Sequence, residues 1–124
     1  MRFLCLVVMD KTKLASLSKT EAQELDDVSL DHDHQLRQNG KFLASAALEP
    51  VSASKLVRMK DGKVLITDGP FAETKEQVGG FILIDAKDLE EAIDLASKIP
   101  AGQRLGGIIV RPVKELNHSR KPRS

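Results

Sequence analysis

Thr67-Asp68-Gly69-Pro70-Phe71-Ala72-Glu73-Thr74-Lys75-Glu76-Gln77-Val78-Gly79-Gly80-Phe81 is the densest stretch of this 124-residue chain. It holds a Gly-Pro turn, a run of charge and a Gly-Gly pair, and it links two segments that read as strands. Upstream of it, Lys55–Met59 and Val64–Thr67 flank Asp61-Gly62, a dipeptide suited to the positive φ angles of a two-residue hairpin loop. That loop pairs Lys60 with Lys63, Met59 with Val64, Val57 with Ile66, and Lys55 with Asp68. Side chains alternate across a strand. Val57, Met59, Val64 and Ile66 therefore share one apolar face, with Asp68 at its end, and that face is expected to point inward. Arg58, Lys60, Lys63 and Thr67 make a wet face. Downstream, Gly80–Asp85 reads as a buried strand.

Working outward from there, Arg2–Met9 is apolar on both faces, as a central strand is. Asp10–Leu17 is a polar connection with room for a helical turn. Ser18-Lys19-Thr20-Glu21 forms a capping box. The stripe Leu25, Val28, His32, Leu36 follows it, and Asn39-Gly40 closes the helix. Phe42–Leu48 is a second strand, stopped by Glu49-Pro50. Asp88-Leu89-Glu90-Glu91 is a second capping box, leading the stripe Leu89, Ala92, Ile93, Ala96, Ile99. Pro100 is expected to end that helix. Ile108–Val113 is the last strand, and residues 114–124 read as a mobile basic tail.

The order is strand, helix, strand, hairpin, strand, helix, strand. Without the hairpin this is a split βαβ arrangement twice over, so the fold class expected is α+β, ferredoxin-like with an inserted hairpin. Residues 1–113 form one domain. Two helices cover one face of such a sheet, and its other face is also apolar. A second copy of the chain is the simplest cover, so a homodimer is expected.

Composition narrows the function classes. Lys and Arg number 19 against 18 Asp and Glu, for a net charge of +1. The basic residues are dispersed, and there is no Trp or Tyr. Neither the basic patch nor the stacking surface of a nucleic-acid binder is present, so no nucleic-acid partner is expected. Met1–Met9 is too short to span a membrane and has no signal-peptide start, so the chain reads as cytoplasmic, with no membrane partner. Cys5 is a lone cysteine in an apolar strand and reads as a small hydrophobe.

Several side chains could carry chemistry. Asp68 is either a carboxylate whose pKa an apolar cleft raises for acid–base work, or a turn carboxylate that accepts backbone N–H groups or pairs with Lys55. Gly69 and Pro70 set the backbone of that turn. Glu73, Lys75 and Glu76 either ring a pocket mouth or form a solvated charge cluster. In Asp31-His32-Asp33-His34 the two imidazoles sit about 200° apart on a helix, which argues against a shared metal. His32 falls on the apolar stripe and is expected to be substantially buried, as a core or catalytic histidine. His34 faces water. Arg58 and Arg111 could each hold an anion or an interface carboxylate. No cofactor and no metal are expected.

The stretch from Thr67 to Gln77, with Gly79-Gly80-Phe81, Met1–Leu6 and Val110-Arg111-Pro112-Val113, resembles the DGPF, or YCII-related, family over nearly the whole chain. That resemblance implies a dimeric α+β barrel and a bacterial source. It also implies genes beside extracytoplasmic-function sigma factors, and an activity that is generally unassigned. The ligand-binding set it suggests is Asp68, Gly69, Pro70, Phe71, Glu73, Lys75, Glu76 and Arg111, with Asp68 and His32 as catalytic candidates. Shorter YCII-like relatives have a proposed His–Asp pair, whose His falls near Ser29 here, so the pair does not carry over. Relatives often have Glu or His where this chain has Ala46. Two functions remain open: a small-molecule-binding protein or small enzyme, and a non-catalytic partner-binding module tied to transcriptional regulation.

Overall fold

The computed structural model describes residues 1–70 and 73–121. Strands β1 (Arg2–Asp10), β2 (Phe42–Ala47), β5 (Glu76–Asp85) and β6 (Gly106–Pro112) form an antiparallel sheet in the order β2-β5-β1-β6. The helices are α1 (Lys11–Ala15), α2 (Lys19–Gln38), α3 (Leu89–Ser97) and α4 (Pro100–Leu105). This is a mixed α+β architecture. The strand order interleaves two βαβ units, as the split arrangement requires. Strands β3 (Lys55–Lys60) and β4 (Lys63–Asp68) stand apart as a two-stranded sheet.

The core forms where alternate residues of the central strands meet the helices. Phe3, Cys5 and Val7 of β1 are buried, as are Ile82 and Ile84 of β5. They pack with Leu25 and Leu36 of α2, Ala92 and Ala96 of α3, and Leu105 of α4. The opposite sheet face carries Leu4, Leu6, Val8, Phe81 and Leu83, which are half-buried, and Ile109, which is exposed. Among the described residues no helix layer covers that face.

Both helix starts follow from their caps. The Ser18 hydroxyl accepts from the Glu21 N–H, and the Glu21 carboxylate accepts from the Ser18 N–H, so the capping box is complete. Asp88 accepts from the Glu91 N–H. Gly40 sits at φ +72° just past the Asn39 C-cap of α2. Pro100 acts differently from the expectation. It is the first residue of α4, where its missing N–H costs nothing, and α3 has already ended at Ser97. Ala92, Ala96 and Ile99 of the expected α3 stripe are buried, but Leu89 and Ile93 are about half exposed.

The hairpin register is the expected one, from Lys60 opposite Lys63 to Lys55 opposite Asp68. Asp61 and Gly62 both take positive φ, as the tight turn demands. The burial is not the expected one. Val57, Met59, Val64 and Ile66 are 57%, 76%, 58% and 64% exposed. Leu56, on the face expected to be wet, is the most enclosed residue of the two strands. Pairing is a local matter that the turn decides, whereas burial needs a partner surface, and the described residues do not bury this face.

Beyond β6, the Arg2 guanidinium grips the Glu115 carboxylate with both oxygens at 3.0 Å. This fastens the start of the C-terminal segment to β1. No helix among the described residues is long and apolar enough to cross a membrane.

Candidate functional site

Helix α2 runs across the sheet and leaves a cleft of about 540 Å³ between itself and strands β1, β2 and β5. Its polar wall has a simple origin. Residues 26, 29 and 33 recur at three- and four-residue spacing, so Asp26, Ser29 and Asp33 line one side of α2. His32 lies on the stripe of the buried Leu25 and Leu36, beside this polar one, and it too lines the cleft. Across the gap, the Ser45 hydroxyl of β2 donates to Asp33 Oδ2 at 2.7 Å. That bond ties helix to sheet at the cleft edge and fixes one carboxylate oxygen of Asp33. The floor is apolar, from Val7, Met9 and Ile82.

The Gly79-Gly80 pair has a geometric reason here. Val7 pairs with Gly80 and Val8 with Val78, so Gly79 is the extra residue of a β-bulge. A bulge bends the strand and re-aims what lies beside it, which suits a site wall. At Gly80 a Cβ would come within 2.9 Å of the Ala46 carbonyl oxygen, so only glycine lets β2 and β5 approach this closely at the cleft.

His32 is the most unusual group in the cleft. His32 itself is half-buried, and its Nδ1 is fully enclosed with no hydrogen-bond partner among the described residues. Removal from water holds the imidazole below its ordinary range, and the nearby Asp33 charge only partly offsets this. His34 is exposed, and among the described residues no cluster of His, Cys, Asp and Glu could hold a metal. Cys5 is buried, and burial pushes its thiol up to about 11, so it is a core residue with an unreactive sulfur.

The residues singled out around the Gly-Pro turn lie elsewhere. Asp68 ends β4 on the outer face of the hairpin, with its side chain 81% exposed and paired to Lys55 Nζ at 2.7 Å. Gly69 takes φ +55° and donates its N–H to the Ser54 carbonyl at 2.8 Å. Pro70 and Glu76 line a separate, shallower cleft with Val51, Thr74 and Gln77. Glu73 is exposed. Lys75 is exposed and 4.0 Å from Asp10. Phe71 falls outside the described residues. Arg58 is exposed on the hairpin opposite Leu65. Arg111 pairs across from Leu4, on the open sheet face, so it cannot line the His32 cleft. The structure thus brings His32 together with Ser29, Asp33 and Ser45, and leaves Asp68 apart from them. Ser45 carried no signal in its local sequence. Ser29 could have been found from its three-residue helical spacing to His32, and Asp33 from its four-residue spacing to Ser29.

A model of the YCII-related domain matches residues 1–117. The chain belongs to the YCII-related family. An uncharacterized protein of Rhizobium meliloti (strain 1021) is 44% identical over 75 residues, a match spanning 60% of this chain and 60% of that relative's length. Among solved structures, the chain is similar to 5-chloro-2-hydroxyhydroquinone dehydrochlorinase from Burkholderia phenoliruptrix AC1100, solved in complex with 2,5-dihydroxybenzoquinone. The TM-score is 0.53 at 18% identity, covering 92% of this chain and 94% of that one. At that identity the likeness concerns the fold.

Proposed function

We propose that this YCII-related protein binds a small organic molecule in the cleft between α2 and the sheet, and that His32 is the group that meets it. The observation that carries this reading is His32 itself. A half-buried imidazole with an enclosed, partnerless Nδ1 lines a cleft of the size small ligands use. Perturbed titratable groups in clefts mark sites more often than surfaces. The dehydrochlorinase of the same fold binds a small ring compound, which makes a small enzyme the class of function this site fits. Asp33, held by Ser45 at the cleft edge, is placed to accept a hydrogen bond from such a molecule.

The working unit in this proposal is a homodimer, a ferredoxin-like dimeric α+β barrel. Leu4, Leu6, Phe81, Leu83 and Ile109 form an apolar sheet face that the helices of the described residues leave open, and a second copy supplies its complement. The exposed apolar face of the hairpin is the observation that favours the rival reading, a partner-binding module.

Chemical-shift mapping with a library of small phenols, quinones and amides tests the proposal. Shifts centred on Ser29, His32, Ser45 and Gly80 are expected, and they should vanish in His32→Leu while Asp68→Ala keeps them. Shifts confined to the hairpin, or to the Pro70–Glu76 cleft, would favour the rival reading.

A further inference from the structure

The cleft has a marked charge bias. Asp26 and Asp33 are its two carboxylates, and among the described residues no lysine or arginine lines it. Its remaining polar groups include Gln23, Ser29, His32 and Ser45. An anion entering here meets two like charges and finds no counter-charge, and such juxtapositions are strongly disfavoured. Phosphate and carboxylate ligands ordinarily call on arginine or lysine.

His32 adds a directional constraint. Nδ1 is enclosed without a partner. A proton on that nitrogen would be a buried N–H with no acceptor, which is rarer and costlier than a buried lone pair. The proton of the neutral ring therefore belongs on Nε2, the ring nitrogen that does not share the partnerless enclosure of Nδ1, on a side chain that lines the cleft. Presented that way, the ring donates a hydrogen bond and does not accept one. It is poorly set up to act as a base, since taking a proton would place one on the enclosed nitrogen.

We infer that the cleft takes a neutral, largely apolar molecule with a hydrogen-bond-accepting oxygen, that His32 Nε2–H donates to that oxygen, and that carboxylates and phosphates are excluded by Asp26 and Asp33. This rests on the reading of the cleft as the ligand site, and it names the ligand class and the role of His32 within it.

Two probes of one shape, benzamide and benzoate, separate the two levels. In ¹⁵N-labelled protein at neutral pH, benzamide is expected to shift the amides of Ser29, Ala46 and Gly80. Benzoate should bind at least about tenfold more weakly. Asp26→Asn should narrow that gap. Two-bond ¹H–¹⁵N spectra of the imidazole should show the proton of neutral His32 on Nε2. His32→Gln, which keeps an N–H near that place, should retain benzamide binding, and His32→Leu should lose it. Benzoate binding in the cleft as well as benzamide, or a proton on Nδ1, would overturn this inference while leaving the cleft as a ligand site. If neither probe shifts any cleft amide at millimolar concentration, both the inference and the cleft reading fall.

Discussion

The sheet body and the β3–β4 hairpin are built from the same kinds of residues with opposite outcomes. In β1, alternate apolar residues reach full burial, with Phe3 and Cys5 at 0% exposure. In β3 and β4, the equally apolar Val57, Met59, Val64 and Ile66 stay more than half exposed. The difference lies in what stands opposite. Helices α2, α3 and α4 cross one face of the body and exclude water from it. Among the described residues the hairpin strands pair only with one another, and a two-stranded ribbon has no core of its own. A strand pattern therefore fixes which residues share a face, but a second layer decides whether that face is dry. The candidate site follows the second layer: His32 is perturbed because α2 holds it over the sheet, and Asp68 stays exposed because no layer among the described residues encloses the end of the hairpin.

The comparison is broken most forcefully in the body. Phe3→Ala removes a fully buried ring and is expected to cost about 3–5 kcal/mol, read as a large fall in denaturation midpoint. The matching change in the hairpin, Ile66→Ala, removes a side chain that is 64% exposed and should leave the denaturation midpoint nearly unmoved. Equal losses at both positions would show that the hairpin is as much a part of the core as β1.

Gly80→Ala tests the cleft wall. The new Cβ would press on the Ala46 carbonyl, so a loss of about 1–3 kcal/mol is expected by chemical denaturation, together with weaker ligand binding. Wild-type stability would mean that β2 has room to give way.

His32 predicts a pH dependence. Its pKa in the folded chain lies below the 6.5 of the free side chain, because burial opposes the charged form. The unfolded chain thus binds the extra proton first. Stability from this group is fully present above pH 6.5 and declines as pH falls through 6.5 toward the folded-state pKa. His32→Leu should remove that part of the pH dependence, measured as denaturation midpoint against pH. An imidazole titrating above 6.5 by NMR would reverse the sign and contradict the enclosure of Nδ1.

The smallest effect is expected at Asp68. Its bond to Lys55 is solvent-exposed at both ends, and such pairs contribute about 0–1 kcal/mol. Asp68→Ala should shift the melting temperature little and leave cleft binding intact.

Local signals in the sequence specified most of the fold. The Ser18 and Asp88 caps, the Asp61-Gly62 turn and the two-faced apolar run of β1 each act over a few residues, and each formed where expected. Pro100 misled because a proline that cannot continue one helix is well suited to start the next. The site was only half visible. His32 could be placed from its stripe. The Asp33–Ser45 bond joins residues from a helix and a strand, and no local spacing encodes that meeting. Asp68 drew attention because its apolar strand neighbours implied an interior, and that interior is missing from the single chain.

The central claim is that small molecules bind under α2 against His32. A crystal structure of the full chain soaked with benzamide tests it most directly. Density is expected in the cleft, with the amide oxygen within hydrogen-bonding distance of His32 Nε2 and the ring over Val7 and Ile82. Density only beside Asp68 or in the Pro70–Glu76 cleft, with the His32 cleft empty, would contradict it.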